Sequence, residues 1–81
     1  MLTYQRMGCY VTTEPFRPFR IKMASGRTFD IRHPEMVKVG KSDIVIFSFV
    51  SDEPNIYDDW DTVSLVLIES ISYLESSIPQ N

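Results

Sequence analysis

Apolar and polar positions alternate most clearly between Pro15 and Glu35. Phe19, Ile21 and Met23 alternate with Arg20 and Lys22, and Phe29 and Ile31 alternate with Thr28, Asp30 and Arg32. Successive strand side chains point to opposite faces, so each run has one apolar and one polar face. Between the runs lies Ala24-Ser25-Gly26, where Gly26 is free to take the positive φ of a tight reversal. Loop length then sets the register. A two-residue loop, Ser25-Gly26, would put Ile21 opposite Asp30. A three-residue loop puts Ile21 opposite Phe29, Phe19 opposite Ile31, and Arg20 opposite Asp30 on the outer face. A slip of one residue turns the whole apolar set outward, so the pattern predicts the longer loop, a type I turn closed by Gly26 as a bulge.

The rest of the chain is read in the same way. Tyr4, Met7, Tyr10 and Val11 fit one helical face, weakened by Gly8 and the Thr12-Thr13 pair, so residues 1–14 are expected to form a short, partly helical arm. Residues before Met7 add little to any pattern, and Met7 offers an alternative start. Pro15 and Pro18 forbid helix and force extended backbone into the first strand, with Pro18 at its start or at an edge. His33-Pro34-Glu35 breaks the second strand, and Met36 to Val39 resumes it. After the turn Gly40-Lys41-Ser42, the run Asp43 to Val50 is apolar at nearly every position, which predicts a central strand or one covered on both faces. Ser51 to Asp61 reads as a polar loop. Thr62 to Leu67 reads as a strand with Val63, Leu65 and Leu67 inward, followed by a kink at Ile68-Glu69, a last strand from Ser70 to Glu75, and a loose tail over residues 76–81.

Five or six short strands in 81 residues predict a mainly β chain. The expected architecture is a single domain over residues 15–75, a small, partly open antiparallel β-barrel of SH3-like or Sm-like form. The kink between the last two strands favours it, since such a bend carries a strand across a barrel corner through a 3₁₀ turn. Composition adds little. Hydrophobic content of 43% is ordinary for a globular chain. With one cysteine, Cys9, no intramolecular disulfide and no Cys-based zinc site can be assembled, and a reducing cytoplasm is expected. No apolar run is long enough for a membrane span, and no signal peptide is visible.

Charge changes the picture more. All eight bases lie before Ser42, with three acids, whereas the eight acids that follow are accompanied by no base. Such a split fits a basic binding face, and equally an attraction between the two halves, within the fold or across a subunit interface. The pattern Pro15-Phe16-x-Pro18-Phe19-x-Ile21, then Gly26-Arg27-x-Phe29 and Ile31-x-His33-Pro34-Glu35, resembles a family of short uncharacterised bacterial proteins. The closing Thr62-Val63-Ser64-Leu65 through Ile71 is similar to it as well. The resemblance implies a bacterial, soluble, single-domain protein and no catalytic residues.

Candidate chemistry is sparse. His33 is the one histidine, and Pro34 separates it from Glu35, so no oriented base and nucleophile are visible. Cys9 has no flanking base to lower its pKa. Acids around Tyr57 and Trp60 (Asp58, Asp59 and Asp61 with Asp52 and Glu53) lack the spacing and glycine of a calcium loop. A solvated loop with Trp60 folded back onto the barrel is the main expectation, and a docking loop for a basic partner, with an exposed Trp60 as its anchor, is favoured over an ion site. Arg20, Lys22 and Arg32 form a basic hairpin face of the kind by which small barrels meet nucleic acid, but the hairpin aromatics are expected inward and the chain is acidic, with a pI near 4.9. The sequence thus favours a non-enzymatic protein-interaction module without cofactor or metal, self-associating or docking on a larger protein. An Sm-like nucleic-acid binder is the alternative.

Overall fold

The computed structural model describes residues 2–49 and 57–74. These form a helix, α1 (Tyr4–Thr12), and six strands: β1 (Phe19–Met23), β2 (Thr28–Ile31), β3 (Val37–Val39), β4 (Asp43–Phe49), β5 (Tyr57–Ser64) and β6 (Ile68–Tyr73). Two 3₁₀ turns, Pro34–Met36 and Leu65–Leu67, connect β2 to β3 and β5 to β6. The strands make two antiparallel sheets of three, in the orders β2-β1-β6 and β3-β4-β5. The mainly β class and the short helical arm are as expected.

The hairpin register is the one that the alternation predicts. Phe19 faces Ile31, Arg20 faces Asp30 and Ile21 faces Phe29. The Gly26 N–H donates to the Met23 carbonyl at 2.9 Å, the Met23 N–H donates to Arg27 at 2.8 Å, and Gly26 has φ 98°. Those two bonds and that φ define the three-residue loop with its glycine bulge. Pro18 immediately precedes β1, and its carbonyl accepts from the Leu74 N–H, while its missing N–H leaves that pair with a single bond at the very start of the ladder.

Each sheet contributes one apolar face to a shared core of Phe19, Ile21, Met23 and Ile31 from the first, and Val37, Ile44 and Ile46 from the second. Leu65 and the fully buried Met7 complete it. Burying a side chain of this kind contributes about 1.5–3 kcal/mol. The helix is therefore part of the core, and residues before Met7 matter more than their lack of pattern implies. The Thr3 hydroxyl caps α1 by accepting from the Arg6 N–H, and Leu2 packs against the core. Tyr10 meets Phe19 and Tyr73 with ring centroids 5.5 and 5.8 Å apart, which pins the end of the helix to the first sheet.

The second half departs from expectation at its boundaries. β5 starts at Tyr57, so Tyr57 to Asp61 are strand and not loop, and Thr62–Leu67 is not a strand throughout. Leu65–Leu67 is the 3₁₀ turn. The period there changes from two to three, which keeps Leu65 buried and leaves Leu67 54% exposed instead of inward. The kink expected at Ile68-Glu69 therefore lies three residues earlier, and β6 begins at Ile68. Likewise Met36 belongs to the first 3₁₀ turn, and extension resumes at Val37. The predicted loop over residues 51–56 and the tail over residues 76–81 lie outside the described residues.

Candidate interaction surface

β4 lies between β3 and β5, the central position that its apolar run predicts. Ile44 and Ile46 point into the core, so Val45 and Phe47 occupy the opposite, outer face. The ladders set Lys38 and Thr62 on either side of Val45, and Trp60 directly opposite Phe47. These five residues share one outer surface. Val45 and Phe47 are half-buried, whereas Trp60 is 57% exposed. Trp60 is thus not folded back onto the core. Strand geometry places it on the face away from Ile44 and Ile46, and only a loop conformation would have let it turn inward.

The acids at this edge do separate work. Asp59 accepts a hydrogen bond from the Trp60 N–H at 2.8 Å, and Asp61 meets Arg27 of the hairpin loop at 3.5 Å. Tyr57 and Asp58 belong to β5 by backbone, and their side chains lie outside the described residues. The group Tyr57, Asp58, Asp59, Trp60 and Asp61 is therefore a stretch of edge strand.

The basic hairpin face is present, with Arg20, Lys22 and Arg32 exposed. Each meets a carboxylate. Arg20 makes a two-bond fork to Asp30, at 2.7 and 3.1 Å, Arg32 reaches the same carboxyl at 3.7 Å, and Lys22 reaches Glu69 at 3.6 Å. The hydrogen bond from Arg20, ahead of the charges of Arg20 and Arg32, holds the Asp30 carboxyl below its ordinary range. Lys22–Glu69 and Arg27–Asp61 join the basic half of the sequence to the acidic half inside one chain. The hairpin aromatics offer little stacking surface: Phe19 is buried, and half-buried Phe29 has the Arg27 guanidinium 4.8 Å from its ring centroid.

His33 is exposed and precedes the first 3₁₀ turn, where its backbone carbonyl accepts from Met36. Cys9 is exposed on α1. Among the described residues, no three His, Cys, Asp or Glu side chains come together as metal ligands. No helix is long and apolar enough to cross a membrane among them.

Sequence reasoning did not name Val45 and Phe47 as part of a surface with Trp60. The two-sided apolar run carried that signal, but the pairing needs β5 to be recognised as a strand. Val66, 62% exposed in the second 3₁₀ turn, was also missed, because an assumed period of two hides a turn. In comparisons with known proteins, no family model, no curated protein and no solved structure matches this chain.

Proposed function

We propose that the chain is a small non-enzymatic protein-interaction module that self-associates through the outer face of β3-β4-β5. The observation that carries this reading is Trp60, more than half exposed on a rigid strand and opposite Phe47. A large aromatic held at a fixed sheet position anchors an interface at little entropic cost. A second copy as the occupant offers matching chemistry, the apolar Val45, Phe47 and Trp60 of one face meeting the same three residues of the other. On the same reading, the two sheets are the halves of a partly open SH3-like or Sm-like barrel. In support, 3₁₀ turns carry the chain from one sheet to the other at both crossings, and both sheets share one core.

Nucleic-acid binding by Arg20, Lys22 and Arg32 is the weaker reading. A phosphate must displace Asp30 or Glu69 from each of these side chains, and no exposed aromatic accompanies them on the hairpin.

Light scattering across a concentration series tests the proposal. The wild-type chain is expected to run as an oligomer, and Trp60→Glu as a monomer with unchanged circular dichroism. A wild-type chain that stays monomeric at high concentration overturns it.

A further inference from the structure

A second surface lies away from Trp60, along the free edge of β6. The Leu74 N–H donates to the Pro18 carbonyl at 3.0 Å, so the 18/74 pair is a hydrogen-bonded pair of the β1–β6 ladder. Bonded and non-bonded pairs alternate between antiparallel strands, which makes Arg20/Ser72 and Lys22/Ser70 the next bonded pairs. The N–H and C=O of Ile71 therefore point away from β1. They face a groove of about 300 Å³ whose far wall is α1 and the residues before it. Leu2, Arg6 and Tyr10, four residues apart, form that wall, and Ile68 and Ile71 line the strand side. Tyr10 of the wall also meets Tyr73 of β6, with ring centroids 5.8 Å apart.

This groove combines three features: an unpaired strand edge, apolar side chains (Leu2, Ile68 and Ile71) set among polar groups, and one cation. Glu69 stands on its rim but is engaged by Lys22 at 3.6 Å. Arg6 meets no carboxylate among the described residues, and it also lines the neighbouring cleft with Thr13 and Tyr73. We propose that the groove receives a short extended segment of a partner protein, added as a strand to the β6 edge, with a carboxylate side chain on Arg6. Main-chain bonds to Ile71 supply the pairing, and alternate apolar side chains rest on Ile68, Leu2 and Tyr10. From Ile68 to Ile71 the strand advances three residue steps, roughly 10 Å at about 3.3 Å per residue, which suits a segment of about four residues. A cation on the wall selects for acidic over basic segments through encounter rate and register.

The test is an amide-resolved NMR titration of the full chain with the synthetic peptide acetyl-Thr-Val-Glu-Val-Thr-amide at millimolar concentration. Expected are shifts confined to Ile68–Ile71, Leu2, Arg6 and Tyr10, and slower hydrogen exchange at the Ile71 amide. A peptide with Lys in place of Glu, and separately Arg6→Ala, should each weaken binding about tenfold, a loss near 1.4 kcal/mol. Methylating the central backbone nitrogens of the peptide should abolish it. Absence of shifts overturns the proposal, as do shifts centred on Phe47 and Trp60. Broadening of the β6 amides with protein concentration and no peptide places a second copy there and overturns it too. Because the outer face of β3-β4-β5 is read separately, failure here leaves the Trp60 proposal untouched.

Discussion

The backbone N–H of Trp60 donates to the carboxylate of the residue before it, Asp59, at 2.8 Å. Leu65 bonds Ser42 in the same ladder, so Ile44/Val63 and Ile46/Asp61 are bonded pairs and the backbone groups of Trp60 point off the open side of β5. Asp59 therefore occupies an edge donor that would otherwise be available to another strand, and it adds negative charge to that edge. Asp59→Ala is expected to leave the fold intact and to raise aggregation on prolonged warming, measured by light scattering. Asp59→Asn, which keeps an acceptor, should lie between it and wild type. Equal aggregation of all three would show that this bond does not guard the edge.

Gly26→Ala isolates the cost of backbone conformation. No heavy atom lies within 4 Å of where the new Cβ would stand, so crowding plays no part, and the φ of 98° alone penalises the side chain. The expected loss is about 1 kcal/mol or more. Urea denaturation should show a lower midpoint at unchanged slope. A midpoint equal to wild type would mean that the loop changes turn type at no cost.

Met7→Ala tests whether the arm belongs to the core. Met7 is fully buried, so truncation should cost roughly 2–5 kcal/mol, whereas Met7→Leu should cost less than about 1.5 kcal/mol. Chemical denaturation of both variants separates the outcomes. A loss below that range for alanine would make α1 an accessory that the sheets do not need.

Asp30→Asn carries a pH signature. The hydrogen bond from Arg20 lowers the folded-state pKa of Asp30 beneath its ordinary 3.8, against a smaller opposing effect of desolvation. A depressed folded value means that the ionised carboxylate stabilises the fold above pH 3.8, and that this contribution is lost as pH falls through the lowered value. Thermal melts should therefore show Asp30→Asn slightly below wild type near neutrality, with the gap closing on acidification. Solvent exposure of the pair keeps the difference small. A gap that is the same at pH 7 and pH 2 would attribute the effect to something other than ionisation.

The hairpin was legible because its two runs obey one rule without exception: apolar in, polar out, with a glycine where the loop needs it. β5 was not, and the reason lies in Asp59 and Asp61. They stand on the same side of the strand as Val63, where the alternation rule expects apolar residues. An edge strand runs beyond the region it must cover, so those inward positions tolerate acids, and Asp61 finds Arg27 instead of the core. The candidate surface inherited that error. Trp60 was singled out for the right residue type, but its partner Phe47 became visible only once the ladder was in place. The groove beside β6 has no signature in the sequence, because it depends on where Leu2, Arg6 and Tyr10 come to lie against a strand near the other end of the chain.

That separation along the chain orders the events of synthesis. Phe19 pairs with Tyr73, so the first sheet cannot gain its third strand until Tyr73 has left the ribosome. Until then β1 and β2 are an isolated hairpin, marginal in water, with Phe19 and Ile21 lacking one of their neighbours. β3, β4 and β5 follow one another directly and can assemble as they emerge. The sheet β3-β4-β5 can thus form first, and the basic hairpin, made earlier, waits for β6 to complete it.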